Sequence, residues 1–299
     1  MSGPAQVAQD DPMVSMRSED EAAPLRLLVA GQQVVVDCQS PLIRNALIAA
    51  WGPALELGQT PGLQHEAPLA PLSSIQVDEQ GRLWIDGTLR RDDQHLLDRP
   101  QQIEKHIVCD LLSRRSEALQ LHAGCVRWGS TAILVLGESG AGKSTFTRLL
   151  VQAGATYLSD DCLLVEGQRA FGMSRTIQFD SVQDGQPIPS YLLDCDWKSY
   201  RSLTGDGAGA RVPLWREPCQ VVGSLELDAQ PWAVLQLNRG ASNRLHALSR
   251  AQRVAALASA TLTCGQPYRK QFGWGPSWSV TWNDPARCFA SLVAQLPQA

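Results

Sequence analysis

The sequence predicts an α/β protein, with a main domain built on a mixed sheet with flanking helices and a small α+β module before it. The first observation is an apolar, strand-like run, Thr131–Leu136, that continues into a glycine-rich loop and then into helix-like apolar spacing. The second is a pair of β-favouring runs around Gly31, which predicts a hairpin over residues 25–38. The third is the length of 299 residues, which suits two unequal domains.

Composition divides the chain into three parts. Residues 1–24 are rich in Ala, Gln, Asp, Glu and Ser without an apolar period, so we expect a disordered tail. Residues 25–110 are expected to form the α+β module, with two hairpins and a helix that starts at Pro41 and ends before Gly52-Pro53. Residues 111–299 are expected to form the main domain.

Further elements are predicted on both sides of the glycine-rich loop. An amphipathic helix precedes it at 100–118, and two more helices are predicted at 249–262 and 285–296. Residues 174–219 are rich in Gly, Pro, Asp and Ser and are expected to be a loop, a candidate lid. Short strands are predicted downstream of the loop at 155–158, 162–165, 170–173, 223–227 and 233–237.

Composition and charge argue against several classes of protein. Hydrophobic residues make up 44% and charged residues 19%, which suits a globular protein with a substantial core. The net charge of -4 and the lack of a Lys/Arg-rich run argue against nucleic-acid binding. No apolar stretch reaches the ~20 residues of a membrane helix and no signal peptide is evident, so we expect a cytoplasmic protein without membrane contact. The eight cysteines contain no Cys-x-x-Cys pair, so no zinc knuckle is expected.

The glycine-rich loop has the spacing Gly-x-x-x-x-Gly-Lys-Ser between a strand and a helix, the pattern of a phosphate-binding P-loop. Its glycines let backbone N–H groups turn toward phosphate oxygens, and the following helix presents its positive N-terminus. Lys143 is placed to reach the β- and γ-phosphates, and the Ser144 hydroxyl to bind Mg²⁺, so ATP and Mg²⁺ are the predicted cofactors. The predicted nucleotide-binding residues are Gly137, Glu138, Ser139, Gly140, Ala141, Gly142, Lys143, Ser144 and Thr145.

Two adjacent carboxylates, Asp160 and Asp161, follow a predicted strand shortly after the loop. Phosphoryl transfer needs a further magnesium contact and a carboxylate that orients or deprotonates the attacking hydroxyl. The pair fits both needs, and an acidic turn is the plainer alternative. His122 lies at the start of an earlier strand, where the residues alone fit an active-site histidine and a neutral core histidine equally.

These segments together carry a resemblance. Leu121-His122-Ala123-Gly124, the glycine-rich loop and the run Gly154-Ala-Thr-Tyr-Leu-Ser-Asp-Asp are similar, over residues 119–166, to the catalytic core of the HPr kinase/phosphorylase family. The resemblance implies a P-loop kinase core of HPr kinase type as the catalytic domain, residues 111–299. It also implies Asp160 as the general base toward a seryl hydroxyl, Asp161 beside the magnesium ion and His122 near the transferred phosphate. Together with the assignments from the loop, the predicted catalytic residues are Asp160, His122 and Lys143, and the predicted metal ligands are Ser144 and Asp161.

The sequence also departs from that family. The family's downstream motif of Glu, Ile, Arg, Gly, Leu and Gly has no counterpart near Gln183-Asp184-Gly185-Gln186, so neither phosphorolysis nor hexameric assembly is carried over. The combination looks more like the HPr-kinase-related proteins of peptide-modification clusters, which include lasso-peptide kinases that phosphorylate a precursor Ser. A protein or peptide with an acceptor Ser is therefore the expected partner. A homo-oligomer stays open, and neither nucleic acid nor a membrane is expected.

Three hypotheses for function follow. The first is an ATP-dependent serine kinase for a protein or precursor peptide, the second a kinase of a small hydroxylated metabolite, and the third a regulatory module that senses ATP without turnover. Basic residues that could neutralise the γ-phosphate are Arg175, Lys198, Arg201 and Arg211. The series Trp274, Trp278 and Trp282 has helical spacing, but its glycines and proline argue for core or interface tryptophans outside a helix.

Overall fold

A computed structural model describes residues 23–59, 73–80, 82–91, 100–166, 169–175, 177–179, 212–213, 222–226, 232–264 and 275–296. These ranges form a mixed α/β protein with three sheets of five or six strands and five helices, which confirms the predicted class. A core of HPr kinase type stays a prediction. The predicted tail lies almost wholly outside the described residues, as do most of residues 174–219.

The first sheet belongs to the N-terminal part of the chain. It confirms both predicted hairpins, β1–β2 and β3–β4, whereas β2 and β3 run parallel because a helix crosses between them. Its strands, in spatial order, are β1 (Leu25–Val29), β2 (Gln32–Cys38), β3 (Ser73–Val77), β4 (Leu83–Ile85) and β5 (Thr88–Arg91). The helices of this part are α1 (Pro41–Gln59) and α2 (Pro100–Arg114).

The span of α1 contains a kink at the predicted end of the helix. Two helices meet there, so the helix that begins at Pro41 ends at the kink before Gly52-Pro53, and a second helix continues to Gln59. Trp51 has non-helical dihedrals, with φ -116 and ψ 16, two positions before Pro53, a residue without a backbone donor. The Trp51 side chain is fully buried, so packing holds the bend in place.

Two further sheets follow. The second is antiparallel throughout and has the order β14-β11-β10-β6-β17, and the third has the order β16-β18-β15-β8-β7-β9, with β8, β15 and β18 parallel. The second sheet contains β6 (Leu119–Leu121), β10 (Leu163–Glu166), β11 (Arg169–Gly172), β14 (Ser224–Glu226) and β17 (Thr261–Cys264). The third contains β7 (Gly124–Trp128), β8 (Thr131–Leu136), β9 (Thr156–Ser159), β15 (Trp232–Arg239), β16 (Arg244–Ala247) and β18 (Trp278–Trp282). A short pair, β12 (Gln178–Phe179) and β13 (Val212–Pro213), lies apart.

Alternating side chains order these sheets into layers. On β10, Leu164 joins the core of the first sheet, α1 and α2, whereas Leu163 and Val165 join the core shared with the third sheet. The second sheet is therefore covered on both faces. The predicted boundary between residues 110 and 111 falls within α2 and stays a prediction.

Three helices complete the described structure: α3 (Lys143–Gln152), α4 (Arg250–Ala260) and α5 (Pro285–Val293). Helices α3 and α5 pack on the far face of the third sheet, where Phe146 and Leu292 are fully buried. Helix α4 begins with a capping box in which Ser249 and Gln252 satisfy each other's backbone donors. It ends at Ala260 rather than 262, because Thr261 already belongs to β17.

None of the described helices combines the length and the apolar character needed to cross a membrane.

Candidate functional site

The glycine-rich loop connects β8 to α3. Gly142 precedes the first helical residue with φ 96 and ψ 24, in the left-handed region that favours glycine. A Cβ at Gly142 would lie 2.4 Å from Cζ2 of Trp282, and one at Gly137 would lie 2.8 Å from the Ala141 Cβ and 3.0 Å from the Leu237 carbonyl oxygen. The loop therefore needs glycine at both positions for its path and its packing.

Lys143 folds back over the loop. Its Nζ donates to the carbonyl oxygens of Gly137 at 2.9 Å and Glu138 at 3.1 Å. Burial lowers the pKa of Lys143, and the negative charges of Asp161 and Asp160 act in the opposite direction. The two carboxylates are thus within electrostatic reach of the ammonium group.

The ends of two neighbouring strands support the loop from the other side. The Trp282 indole Nε1–H donates to the Ala141 carbonyl at 2.8 Å, and the ring packs tilted against Phe146 with centroids 5.8 Å apart. The Arg239 guanidinium lies 4.7 Å from the centre of the Trp282 ring. Because β8, β15 and β18 are parallel, their carboxyl ends meet at this edge, where open α/β sheets bind ligands.

Asp160 and Asp161 directly follow β9, so the structure brings the predicted acidic pair close to the loop. Asp160 is 7% exposed, and the Tyr157 hydroxyl lies 3.3 Å from its Oδ1 while donating to the Arg175 carbonyl at 2.6 Å. Asp161 has a 38% exposed side chain. The two carboxylates therefore differ, one enclosed by protein and one open to ligands.

His122 lies beside this pair. Its Nδ1 is 3.2 Å from Oδ1 of Asp161, and its backbone N–H donates to the Ala260 carbonyl at 2.7 Å. The adjacent Ala123 N–H donates to the Asp161 carbonyl at 3.1 Å, which ties the two segments together. The His122 side chain is 41% exposed, so His122 is not a core histidine.

The sequence suggested that Arg175 could neutralise the γ-phosphate, but in the structure its side chain is buried in ion pairs. It is 8% exposed and pairs with Oδ2 of Asp161 and, at 3.6 Å, with Oε2 of Glu104. The other predicted basic candidates, Lys198, Arg201 and Arg211, lie outside the described residues, as does Trp274. Trp278 and Trp282 are buried on a strand, which confirms them as core residues.

Two residues near the site were not singled out from the sequence. Glu104 lies on the same face of α2 as the buried Ile103 and Ile107, and a carboxylate within an apolar stripe is a signal for a buried partner. Tyr157 lies on β9 among four consecutive buried residues, where its hydroxyl needs a polar partner.

The hydroxyl of Ser144 and the carboxylate of Asp161 are compatible with binding Mg²⁺ together with a nucleotide. Among the described residues, no group of three or more His, Cys, Asp or Glu side chains could hold a metal ion. Mg²⁺ at phosphoryl-transfer sites takes one or two protein oxygens together with phosphates and water, so it needs no protein cage. Ser144 in the first turn of α3 and the exposed carboxylate of Asp161 are oxygen ligands of this kind. Their role at the metal stays a prediction.

Comparison with known proteins adds little to this site. No protein-family model matches the chain, and no curated protein matches it. Among solved structures, the Hpr(Ser) kinase/phosphatase from Coxiella burnetii matches with a TM-score of 0.25 and 13% identity, over 58% of this chain and 88% of that chain. This likeness is too remote to assign an activity.

Proposed function

We propose that this protein is an ATP-dependent kinase that transfers the γ-phosphate to a seryl hydroxyl of a protein or precursor peptide. The observation that carries the proposal is the position of the glycine-rich loop and the acidic pair in the third sheet. Strand β7 pairs with both β8 and β9, so the loop and the Asp160-Asp161 pair follow strand ends at one edge of this sheet, and the Ala123 N–H just before β7 donates to the Asp161 carbonyl. A hydroxyl-directed phosphotransferase needs a phosphate-binding loop beside a carboxylate pair.

The residues take distinct parts in this proposal. The loop's backbone N–H groups and the N-terminus of α3 hold the phosphates, and Lys143 exchanges its two loop carbonyls for phosphate oxygens. Ser144 and Asp161 hold Mg²⁺, which, when bound, supplies charge neutralisation for the phosphates. His122, close to Asp161, faces the transferred phosphoryl group.

Asp160 is the general base. The acceptor oxygen attacks the γ-phosphorus, the bond from that phosphorus to the bridging β–γ oxygen breaks, and the hydroxyl proton passes to the Asp160 carboxylate. Asp160 is 7% exposed and lies directly after β9, with the Tyr157 hydroxyl 3.3 Å from its Oδ1, so the surrounding protein restricts the direction of the carboxylate.

The test is a transfer assay with labelled ATP and Mg²⁺, offering peptides and proteins encoded beside the gene and, separately, a metabolite pool. We expect phosphoserine on a peptide or protein, found by mass spectrometry. Asp160→Asn is expected to bind ATP like the unchanged protein and to lose transfer by about 10²- to 10⁴-fold. Lys143→Ala is expected to abolish transfer, whereas Lys105→Ala, at an exposed position on α2, leaves it intact.

Three outcomes contradict parts of the proposal. Labelled metabolites with unlabelled peptides reject the seryl acceptor. ATP-dependent binding of a partner without turnover rejects the kinase class. Full transfer by Asp160→Asn rejects the assignment of the base.

A further inference from the structure

Arg175 lies in an enclosed position directly after a residue with a strained backbone. It follows Ser174, which is fully buried and has φ 49, a left-handed conformation that a non-glycine residue rarely adopts. Such strain persists only where the surroundings impose it, and it is concentrated at functional sites. The backbone after β11 is therefore bent so that the Arg175 side chain enters the interior.

Three elements hold the Arg175 guanidinium. Asp161, after β9, accepts from it through Oδ2; Glu104, on α2, lies 3.6 Å away; and the ring centre of Trp51, on α1, lies 5.6 Å away. Glu104 is 4% exposed and Trp51 fully buried. The N-terminal helices thus reach the acidic pair through one side chain.

The cluster places one guanidinium between two carboxylates. Arg175 is 8% exposed, and a guanidinium group stays charged in proteins. A buried guanidinium is tolerated only with partners, and here both partners are carboxylates. Arg175 therefore stays charged and bound to Asp161.

We propose that Arg175 is a positioning residue that fixes the direction of the Asp161 carboxylate, and that Glu104 and Trp51 hold Arg175 for this purpose. Arg175 donates to Oδ2 of Asp161, and Nδ1 of His122 lies 3.2 Å from Oδ1, so contacts at both oxygens oppose rotation of the carboxylate. This inference rests on the proposed function, in which Asp161 binds Mg²⁺. It makes α1 and α2 part of the support of the active site.

The test compares two ion pairs. Arg115, just after α2, pairs with Glu166 on β10, is 8% exposed and lies 5.2 Å from the Phe171 ring, but it does not contact the acidic pair. Arg115→Lys is therefore the matched control for Arg175→Lys. Three quantities are measured on the full chain: the melting temperature, the Mg²⁺ concentration for half-maximal binding of a fluorescent ATP analogue, and kcat with KM for ATP.

Lysine keeps the charge of Arg175, but it lacks the planar guanidinium group whose separate N–H donors face Asp161 and Glu104. We expect Arg175→Lys to raise the half-saturating Mg²⁺ concentration about 10- to 100-fold and to lower kcat by a similar factor. Glu104→Gln is expected to raise the half-saturating Mg²⁺ concentration and to lower kcat by smaller factors. Arg115→Lys is expected to lower the melting temperature without changing the half-saturating Mg²⁺ concentration or kcat.

An unchanged Mg²⁺ requirement in Arg175→Lys, with the same loss of stability as Arg115→Lys, rejects a positioning role. A lower Mg²⁺ requirement also rejects it, because Arg175 would then compete with the metal. If Arg175→Lys does not fold, Glu104→Gln decides by the same measurements. If the unchanged protein binds Mg²⁺ and nucleotide but transfers no phosphate, the proposed function is wrong. The positioning role of Arg175 is then still tested, because the half-saturating Mg²⁺ concentration of Arg175→Lys can be compared with that of the unchanged protein.

Discussion

Replacing Gly142 with alanine tests how firmly Trp282 holds the glycine-rich loop. The new methyl group would lie 2.4 Å from Cζ2 and 3.1 Å from Cε2 of the indole, at a residue with φ +96. The backbone conformation alone costs about 1–3 kcal/mol. Overpacking adds about 1–3 kcal/mol, and displacing the indole loses its hydrogen bond to Ala141, worth about 1 kcal/mol. We expect a total destabilisation of about 3–7 kcal/mol.

Gly140 supplies the control for this experiment. It has φ +76, but a Cβ there would meet nothing within 4 Å, so Gly140→Ala isolates the backbone cost of about 1–3 kcal/mol. Urea unfolding of both variants gives the two free energies, and the double variant Gly142→Ala/Trp282→Phe is expected to recover part of the difference, because the smaller ring leaves room. If Gly142→Ala and Gly140→Ala lower the free energy of unfolding by the same amount, Trp282 does not pack on the loop as described.

Three further predictions concern stability. Gly172→Ala places a methyl group 2.0 Å from the Leu158 carbonyl oxygen, which is backbone and cannot yield, so we expect a loss above about 3 kcal/mol, against a smaller loss for Gly87→Ala in open space. Ser249→Ala removes the α4 cap and is expected to cost about 1 kcal/mol in urea unfolding, with no loss contradicting the capping box. Burial raises the pKa of the Cys162 thiol from 9.0 to about 12, so the stability it contributes is complete below pH 9 and is lost as pH rises toward 12. The decline of stability over that range is expected to be shallower in Cys162→Ala, and identical slopes would contradict it.

Much of the candidate site could be predicted because its parts are encoded in short runs. Residues 137–144 and the Asp160-Asp161 pair each follow a strand of the third sheet, and local spacing alone shows this order. The N-terminal hairpins were predictable for the same reason, since alternation and a turn suffice. Neighbouring residues determine these features.

The remaining features depend on residues distant in sequence. Strand β6 pairs with β10 and β17, and nothing in a three-residue apolar run identifies its neighbours. The ion pair between Glu104 and Arg175 joins a helix to a segment well downstream of it, and although Glu104 lies in an apolar stripe, nothing in the sequence identifies Arg175 as its partner. The stop signal of Gly52-Pro53 did indicate the kink at Trp51, but the second helix beyond it was not predicted.

The contact between Trp282 and Ala141 also has a consequence for how the protein is made. The two residues are 141 positions apart, and Trp282 follows the loop in the sequence. On the ribosome, the glycine-rich loop emerges before the indole that supports it has been synthesised. A translation product that stops before β18 therefore contains the whole motif without the hydrogen bond and the ring that support it.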